Sequence, residues 1–339
     1  MYDKASKNIL LTFDYELFLG TRSGTISNCL LRPTDLILEI LQKNKAKAVF
    51  FIDTIYLYRL KEESEKYSRL SLDYKRISEQ VTRMDSEGHY VFHHIHPHWL
   101  NAQYLPEIDQ WDQIDYSHFV VSTLSTEKQK EVFQISGMML NELLPNNNFS
   151  GFRAGGLYIQ PFEQFNLLFK QCNIKYDFSV LPGFKSDMKQ YGFDFSTALY
   201  RKPYLFESDC CQKTGSGSFK EFPISSISLY GSQKILNGLW YRLANKFGYM
   251  KRMGDGLGSP NKIYSSQPAT NMISYETVSI ELLSPVKLNL YLKFLASHSY
   301  IHFISHPKLI SKYHLRLFDQ LLQNINKSYE PEFDFLHFQ

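Results

Sequence analysis

Six short runs rich in β-branched and aromatic residues recur along the chain, and helix-like segments separate most of them. The runs, which we interpret as strands, cover residues 8–13, 47–52, 90–92, 149–152, 174–176 and 300–304. The segments with helical patterning cover residues 33–43, 62–87, 126–144 and 161–171, and one more ends near residue 325. Because the strands are almost continuously apolar and alternate with helices, the pattern predicts a parallel sheet covered by helices.

An ionisable side chain stands at or just after the end of nearly every predicted strand. These residues are Asp14, Asp53, Arg153, Asp177 and His306. The carboxyl ends of the strands form the active-site face of a (β/α) barrel, and side chains from five strands meet at one mouth only if the sheet curls. We therefore predict a distorted (β/α) barrel. An open doubly wound sheet, which also binds ligands at its strand ends, is the alternative.

Residues 180–285 interrupt this alternation. We predict a single domain over residues 1–339, with residues 180–285 as an insertion or lid within it. Residues 232–252 are predicted to form a helix rich in aromatic and basic side chains. We interpret it as an amphipathic helix packed against the barrel. A substrate lid and a surface for anionic lipid are the alternatives.

Composition narrows the class of protein. A net charge of +3 over 339 residues argues against a nucleic-acid-binding protein. No apolar run approaches the length of about 18 residues that a transmembrane helix needs. The strand predicted from residue 8 leaves no room for the apolar core of a signal peptide, so we expect a cytoplasmic protein. The four cysteines have no C-x-x-C spacing and so give no indication of a zinc ribbon.

Four histidines fall between residues 93 and 98, directly after a predicted strand. Neutral imidazole is the commonest metal ligand in proteins. His94 and His98 have the spacing that places two side chains about 5–6 Å apart on one side of a turn. Asp14 and Glu16 share one face of the first strand. One of these carboxylates, together with the two histidines, would give the three-ligand set of a catalytic zinc site, and the other could act as a base. A pair of solvated loop acids is the alternative interpretation.

Five segments resemble the polysaccharide deacetylase family, of the NodB-homology or carbohydrate esterase family 4 type. They are Thr12-Phe13-Asp14, Ala48-Val49-Phe50-Phe51, Gly88-His89 with His94-x-x-x-His98, Phe152-Arg153 and Ser305-His306-Pro307. Their order and approximate spacing agree with the family over nearly the whole chain. The resemblance implies a distorted barrel, usually of seven parallel strands. It also implies a hydrolase that acts on carbon–nitrogen bonds other than peptide bonds.

The same resemblance implies a role for each matching residue. Asp14 would be the general base, and His94 and His98 would bind a divalent metal, normally zinc, although cobalt or nickel can serve. Arg153 would hold Asp14 by a charge-assisted hydrogen bond and keep its pKa low. His306 would be the general acid.

The chain departs from the family pattern at two places. Tyr15 occupies the position of the aspartate that normally binds the metal, and we assign this ligand to Glu16, which has a longer side chain and lies on the same face as Asp14. The tryptophan and aspartate motif that normally supports the final histidine has no counterpart, so the sequence predicts no partner for His306.

These features predict a metal-dependent enzyme that removes N-acetyl groups from an amino sugar or a polysaccharide precursor. Its substrate would be an acetylated amino sugar or polysaccharide, and peripheral contact with a membrane is compatible with the basic helix. Alternatives are hydrolysis of a small non-sugar amide, a catalytically inactive carbohydrate-binding relative, and a glycoside hydrolase that uses Asp14 and Glu16 as its carboxylate pair. The glycoside hydrolase leaves the histidine cluster unexplained.

Overall fold

Thirteen strands and eight α-helices are found in the computed structural model, which describes residues 4–112, 118–186, 192–258 and 273–338. The strands are β1 (Ser6–Tyr15), β2 (Val49–Asp53), β3 (Tyr90–Ile95), β4 (Gln103–Leu105), β5 (Gln110–Asp112), β6 (Gly151–Ala154), β7 (Tyr176–Asp177), β8 (Tyr204–Phe206), β9 (Phe219–Glu221), β10 (Ser226–Tyr230), β11 (Ile273–Thr277), β12 (Tyr300–Ser305) and β13 (Glu330–Glu332). The helices are α1 (Arg32–Lys43), α2 (Thr54–Ser64), α3 (Ser68–Ser86), α4 (Thr126–Leu143), α5 (Glu163–Gln171), α6 (Gly231–Lys246), α7 (Pro285–Ser297) and α8 (Lys312–Ser328).

The main sheet has the order β12-β1-β2-β3-β6-β7-β9, and all of these neighbours are parallel. Strand β8 extends the sheet antiparallel to β9, and β13 runs parallel to the start of β1. The seven parallel strands and the helices between them confirm the predicted distorted barrel. The register pairs Asp53 with His94 and His94 with Arg153, so the ends of neighbouring strands lie at one level.

The barrel closes between β9 and β12 through single hydrogen bonds rather than a regular ladder. The backbone N–H of Ser225 donates to the carbonyl of His302 at 3.2 Å. Val278 donates to the carbonyl of Ser225 at 2.9 Å, and its own carbonyl accepts from Ile304 at 3.1 Å. Residues 222–225 and 278–280 therefore form an irregular seam that completes the curled sheet.

The interior of the barrel is filled by aromatic rings. Phe51, Phe92, Phe178 and Phe222 are buried inside it, and Phe178 and Phe222 stack with ring centroids 4.9 Å apart. Phe335, near the end of the chain, packs against the rings of Phe92, Phe178 and Phe222. This apolar filling leaves the polar strand ends at the opposite face as the place for chemistry.

Two predicted helices differ in their extent. The segment 62–87 contains the end of α2 and the whole of α3, which are separated at residues 65–67. Helix α2 begins directly after β2, where the side chain of Asp53 accepts a hydrogen bond from the backbone N–H of Tyr56. The helix predicted over residues 232–252 is α6, which ends earlier, at Lys246. Gly248 follows in a left-handed conformation (φ 72°) that favours glycine after a helix.

The range predicted as an insertion contains one barrel strand, β9, together with β8, β10, β11 and α6. Strands β10 and β11 pair as a separate two-stranded sheet, and α6 follows β10 directly. Residues 187–191 and 259–272 of this range lie outside the described residues. Within the part of the chain that the structure describes, no helix combines the length and the apolar character that a membrane span requires.

Candidate active site

Asp14 and Arg153 form a buried ion pair at the carboxyl ends of β1 and β6. The Arg153 Nη1 atom lies 2.6 Å from Asp14 Oδ1. Arg153 also donates to Thr12 Oγ1 at 2.8 Å and to the carbonyl of Phe178 at 3.1 Å, and its guanidinium lies 4.2 Å above the centroid of the Phe51 ring. These contacts hold the guanidinium of Arg153 against the Phe51 ring and direct one of its N–H groups at Asp14.

The electrostatic surroundings keep Asp14 ionised. Burial acts to raise the pKa of its carboxyl, but the positive charges of Arg153, His94 and His306 outweigh it and lower that pKa. Arg153 Nη2 also lies 2.9 Å from His302 Nε2, whose ring contacts the carbonyl of Phe222 through Nδ1 at 2.9 Å. Burial and the charge of Arg153 lower the pKa of His302 well below its ordinary value, so its neutral ring donates through Nδ1 and accepts through Nε2.

A second buried group lies beside this pair and contains Glu16, His94 and His96. Their ligand-type atoms lie within 4.8 Å of one another. Glu16 Oε2 is 3.2 Å from His94 Nε2 and 2.5 Å from His96 Nε2, and the two Nε2 atoms are 3.1 Å apart. His94 is oriented through its other ring nitrogen, which lies 2.8 Å from the carbonyl of Arg153.

Glu16 also contacts a buried cation. Lys308 Nζ lies 2.8 Å from Glu16 Oε1 and donates to the carbonyl of Leu17 at 2.5 Å. Burial alone would raise the pKa of Glu16, but Lys308 and the two histidines lower it well below its ordinary value. For His94, burial lowers the pKa, while the carboxylates of Asp14 and Glu16 raise it overall to about 9.

Two of the predicted metal ligands, Glu16 and His94, are brought together, while His98 lies outside their group. The ring centroid of His98 is 5.6 Å from that of His96 and 5.3 Å from that of Trp99. Burial and the charge of His96 lower the pKa of His98 well below its ordinary value. His96 occupies the position beside Glu16 because its backbone is extended after β3, whereas the short 3-10 turn of Pro97–Asn101 carries His98 to the side.

Tyr15 points to the opposite side of β1 from Asp14 and Glu16. Its hydroxyl donates to Gln80 Oε1 on α3 at 2.8 Å, and the ring is buried. The side chains of a strand alternate between its two faces, so residue 15 cannot reach the group that residues 14 and 16 form.

His306 lies above the two carboxylates and is the more exposed member of the site. Its Nε2 atom is 3.6 Å from Asp14 Oδ2 and 3.7 Å from Glu16 Oε1, and a quarter of its side chain is exposed. Its Nδ1 atom lies 2.9 Å from Glu281 Oε1, and its backbone N–H donates to Glu281 Oε2 at 3.4 Å. Burial lowers the pKa of His306, but Glu281, Asp14 and Glu16 raise it overall.

Four residues of this arrangement were not singled out from the sequence. They are His96, Glu281, His302 and Lys308. His96 belongs to the histidine cluster, and Lys308 is two residues beyond His306. Their positions next to predicted site residues could therefore have indicated both of them. Glu281 follows the irregular seam segment and has no local pattern that marks it, although it supplies the partner that the missing family motif left open.

The comparison with known families confirms the predicted resemblance. The family model described as Polysaccharide deacetylase matches residues 2–156, which include Asp14, the histidine cluster and Arg153. This match confirms an enzyme of the hydrolase class that acts on carbon–nitrogen bonds, and it supports deacetylation as the activity. No curated protein sequence matches the chain.

Several solved structures align with most of the chain at low identity. One of them is a protein from Mycobacterium smegmatis that is provisionally assigned as a polysaccharide deacetylase. It aligns at 12% identity over 98% of this chain and 87% of that chain, with a TM-score of 0.48. Puue allantoinase aligns at 10% identity over 96% and 86%, with a TM-score of 0.47. The catalytic domain of peptidoglycan N-acetylglucosamine deacetylase from Eubacterium rectale ATCC 33656 aligns at 14% identity over 98% and 91%, with a TM-score of 0.35. The strand order and registers of this chain establish the curled parallel sheet.

Proposed function

We propose that the protein is a metal-dependent N-deacetylase that acts on an acetylated amino sugar or a polysaccharide precursor. The observation that carries this proposal is the grouping of three elements at one mouth: the Asp14–Arg153 pair, the Glu16–His94–His96 group and His306 with Glu281. A base, a set of metal ligands and an acid are the groups that hydrolysis of an amide requires.

The donor set fits a zinc ion. Zinc takes imidazole nitrogen and carboxylate oxygen at about 2.0–2.2 Å, which places the ligand atoms of a tetrahedral site roughly 3.3 Å from one another. The atoms of Glu16, His94 and His96 are separated by 2.5 to 3.2 Å. We propose Glu16 and His94 as ligands with His96 as the third, which these distances favour. His98, which the family resemblance implies, is the second candidate for the third position. When bound, the metal would polarise the acetamide carbonyl and activate water.

The remaining residues supply the proton transfers. Asp14, ionised because of Arg153, would accept a proton from the attacking water. His306, charged because of Glu281, would donate a proton to the departing amine. Acetate and a free amino sugar are the products.

A calorimetric zinc titration of the metal-stripped protein tests the metal site. We expect one tight site in the wild type, loss of that site in His94→Ala and His96→Ala, and its retention in His98→Ala. Loss in His98→Ala with retention in His96→Ala would return the third ligand to His98. Absence of zinc binding by the wild type would contradict the metal-dependent mechanism.

Acetate release from a panel of acetamido sugars tests the activity. Asp14→Asn should bind zinc as the wild type does and release acetate at least about 100 times more slowly, which is the lower range for loss of a general base. Near wild-type turnover by this variant would show that Asp14 is not the base.

One observation favours a second candidate, a carbohydrate-binding relative without catalysis. The ammonium of Lys308 already neutralises Glu16, with 2.8 Å between Nζ and Oε1. A wild-type protein that binds an acetamido sugar without zinc and without acetate release would support this candidate. A small non-sugar amide as substrate and a cytoplasmic location remain predictions.

A further inference from the structure

The side of α6 that faces solvent is apolar. Ile235, Leu236, Leu239 and Leu243, together with Phe247 directly after the helix, are between 49% and 72% exposed, although each is a large hydrophobic side chain. At about 100° per residue, these positions span roughly 120° of the helix circumference. An exposed apolar stripe of this width is unusual on a protein surface and marks a binding face.

Basic residues lie at the edge of this stripe and within it. Arg242 and Lys246 are exposed and lie beside Ile235 on the helix circumference. The opposite side of α6 faces the protein: Tyr241 donates to the carbonyl of Leu282 at 2.7 Å, and Asn237 accepts from Ser284 at 2.6 Å. The helix is therefore held from beneath and presents apolar and cationic groups outward, the combination found in helices that lie at a membrane interface.

A cationic cavity of about 760 Å³ opens at the carboxyl end of α6. Its lining includes Arg32, Lys251, Arg252, Lys312 and Arg316. Among the ion pairs between described residues, none involves any of these five cations. Such a concentration of uncompensated positive charge suits phosphate groups.

One acid, Asp255, also lines the cavity, and its carboxylate offsets one of the five positive charges. Its carboxylate accepts from the backbone and hydroxyl of Thr25 at 2.8 and 2.9 Å, and from the amide of Asn28 at 2.8 Å. These bonds, which lower the pKa of Asp255 against the effect of burial, hold the carboxylate on the wall of the cavity. The cavity therefore keeps an excess of positive charge.

Aromatic contacts join the cavity to the apolar stripe. The ring of Tyr249, on the cavity wall, lies 6.2 Å from the ring of Phe247 and 5.9 Å from that of Tyr313. Trp240 of α6 packs on the same Tyr313, with 5.4 Å between ring centroids. Stripe and cavity are thus parts of one surface.

We propose that this surface, the apolar stripe of α6 with the cationic cavity at its end, binds a membrane that contains anionic lipid. The stripe enters the boundary between headgroups and acyl chains, and the cavity receives the phosphate groups of the headgroups. Charge complementarity selects this occupant, because a purely apolar partner would leave the excess of positive charge in the cavity without compensation. The inference does not depend on the deacetylase activity.

The cavity also adjoins the candidate active site. The backbone N–H groups of Met253 and Gly254, which line it, donate to the carbonyls of Ile310 and Lys308 at 3.0 Å each, and Lys308 contacts Glu16. Membrane binding would therefore hold the mouth of the barrel close to the lipid surface.

Co-sedimentation of the full chain with phosphatidylcholine vesicles, with and without phosphatidylglycerol, tests the proposal at physiological ionic strength. We expect the wild type to bind the anionic vesicles at least about tenfold more tightly, since each cation near an anionic surface contributes about fivefold. Leu236→Glu/Leu239→Glu/Leu243→Glu should reduce this binding more than about tenfold. Lys312→Ala/Arg316→Ala should reduce it about 25-fold, from two cations at about fivefold each.

The matched control is Leu72→Glu/Leu167→Glu/Leu199→Glu. It changes three leucines that are 54%, 57% and 79% exposed on other parts of the surface, and it should bind as the wild type does. Thermal unfolding of every variant shows whether it is folded. The proposal is overturned if the wild type binds neither vesicle or binds both equally, or if the α6 variant binds normally. It is also overturned if light scattering finds a wild-type dimer that the α6 variant dissociates, because a second copy would then occupy the stripe.

Discussion

Substitution of Glu281 by glutamine should lower the pKa of His306 while leaving the shape of the site intact. Glutamine keeps the size of the side chain and an oxygen that can accept from Nδ1, which is now 2.9 Å from the carboxylate, but removes the negative charge. Hydrogen bonds to charged groups contribute about 1.5–3 kcal/mol and neutral ones about 0.5–1.5 kcal/mol. The difference between the midpoints of these ranges, about 1.2 kcal/mol, corresponds to about one pKa unit.

The readout is the pH dependence of kcat/KM for acetate release. In the proposed mechanism His306 donates a proton and must be protonated, so activity should be present below its pKa and be lost as the pH rises through it. Glu281→Gln should move this alkaline limb about one pH unit lower and leave the zinc affinity unchanged. Glu276→Gln is the matched control, because Glu276 pairs with Lys287 at 2.5 Å and should leave the limb in place. An unchanged limb in Glu281→Gln would refute the argument that Glu281 positions and charges the general acid.

Three further predictions concern stability as well as chemistry. Arg153→Met should cost about 3–5 kcal/mol in the free energy of unfolding, measured with urea, because it leaves the buried carboxylate of Asp14 without its partner; a cost below about 1 kcal/mol would contradict a tight pair. Tyr15→Phe should cost about 1–2 kcal/mol, since Gln80 loses its donor, yet bind zinc as the wild type does; loss of zinc would make Tyr15 part of the metal site. Burial lowers the pKa of His89 to about 4. Unfolded histidine titrates near 6.5, so this residue should remove about 3 kcal/mol of stability as the pH falls from 7 to 4. His89→Gln should reduce that loss in acid unfolding curves, and an identical pH dependence would contradict the assignment.

Local patterns in the sequence predict most strands of the barrel but not the seam that closes it. Apolar runs such as residues 47–52 identified β2, whose five residues are all buried, because a central parallel strand has no solvent face to produce alternation. The seam has no such run. Ser225 and Val278 lie more than fifty residues apart and contact β12 through isolated hydrogen bonds. Such contacts produce no periodic pattern of hydrophobic residues in the sequence.

In the candidate site, too, some residues can be predicted from local sequence and others only from contacts across the fold. Asp14, Arg153 and His306 stand at strand ends, and position alone placed them at one mouth. The proposal of His96 rather than His98 as the third ligand depends on the local path of the backbone after β3, which turns into a 3-10 helix at Pro97, and spacing in the sequence does not reveal that path. Glu281 depends on contacts across the fold and so could be found only in three dimensions.

The irregular closure of the barrel has a consequence for how activity is lost under stress. The segment that joins Ser225 to β12 runs directly into Glu281, so the irregular seam of the sheet and the partner of His306 belong to the same short stretch of chain. Regions with few backbone hydrogen bonds open at lower free energy than regular strands. Mild denaturant should therefore separate Glu281 from His306 while the seven strands remain folded, and inactivation should precede the global unfolding transition.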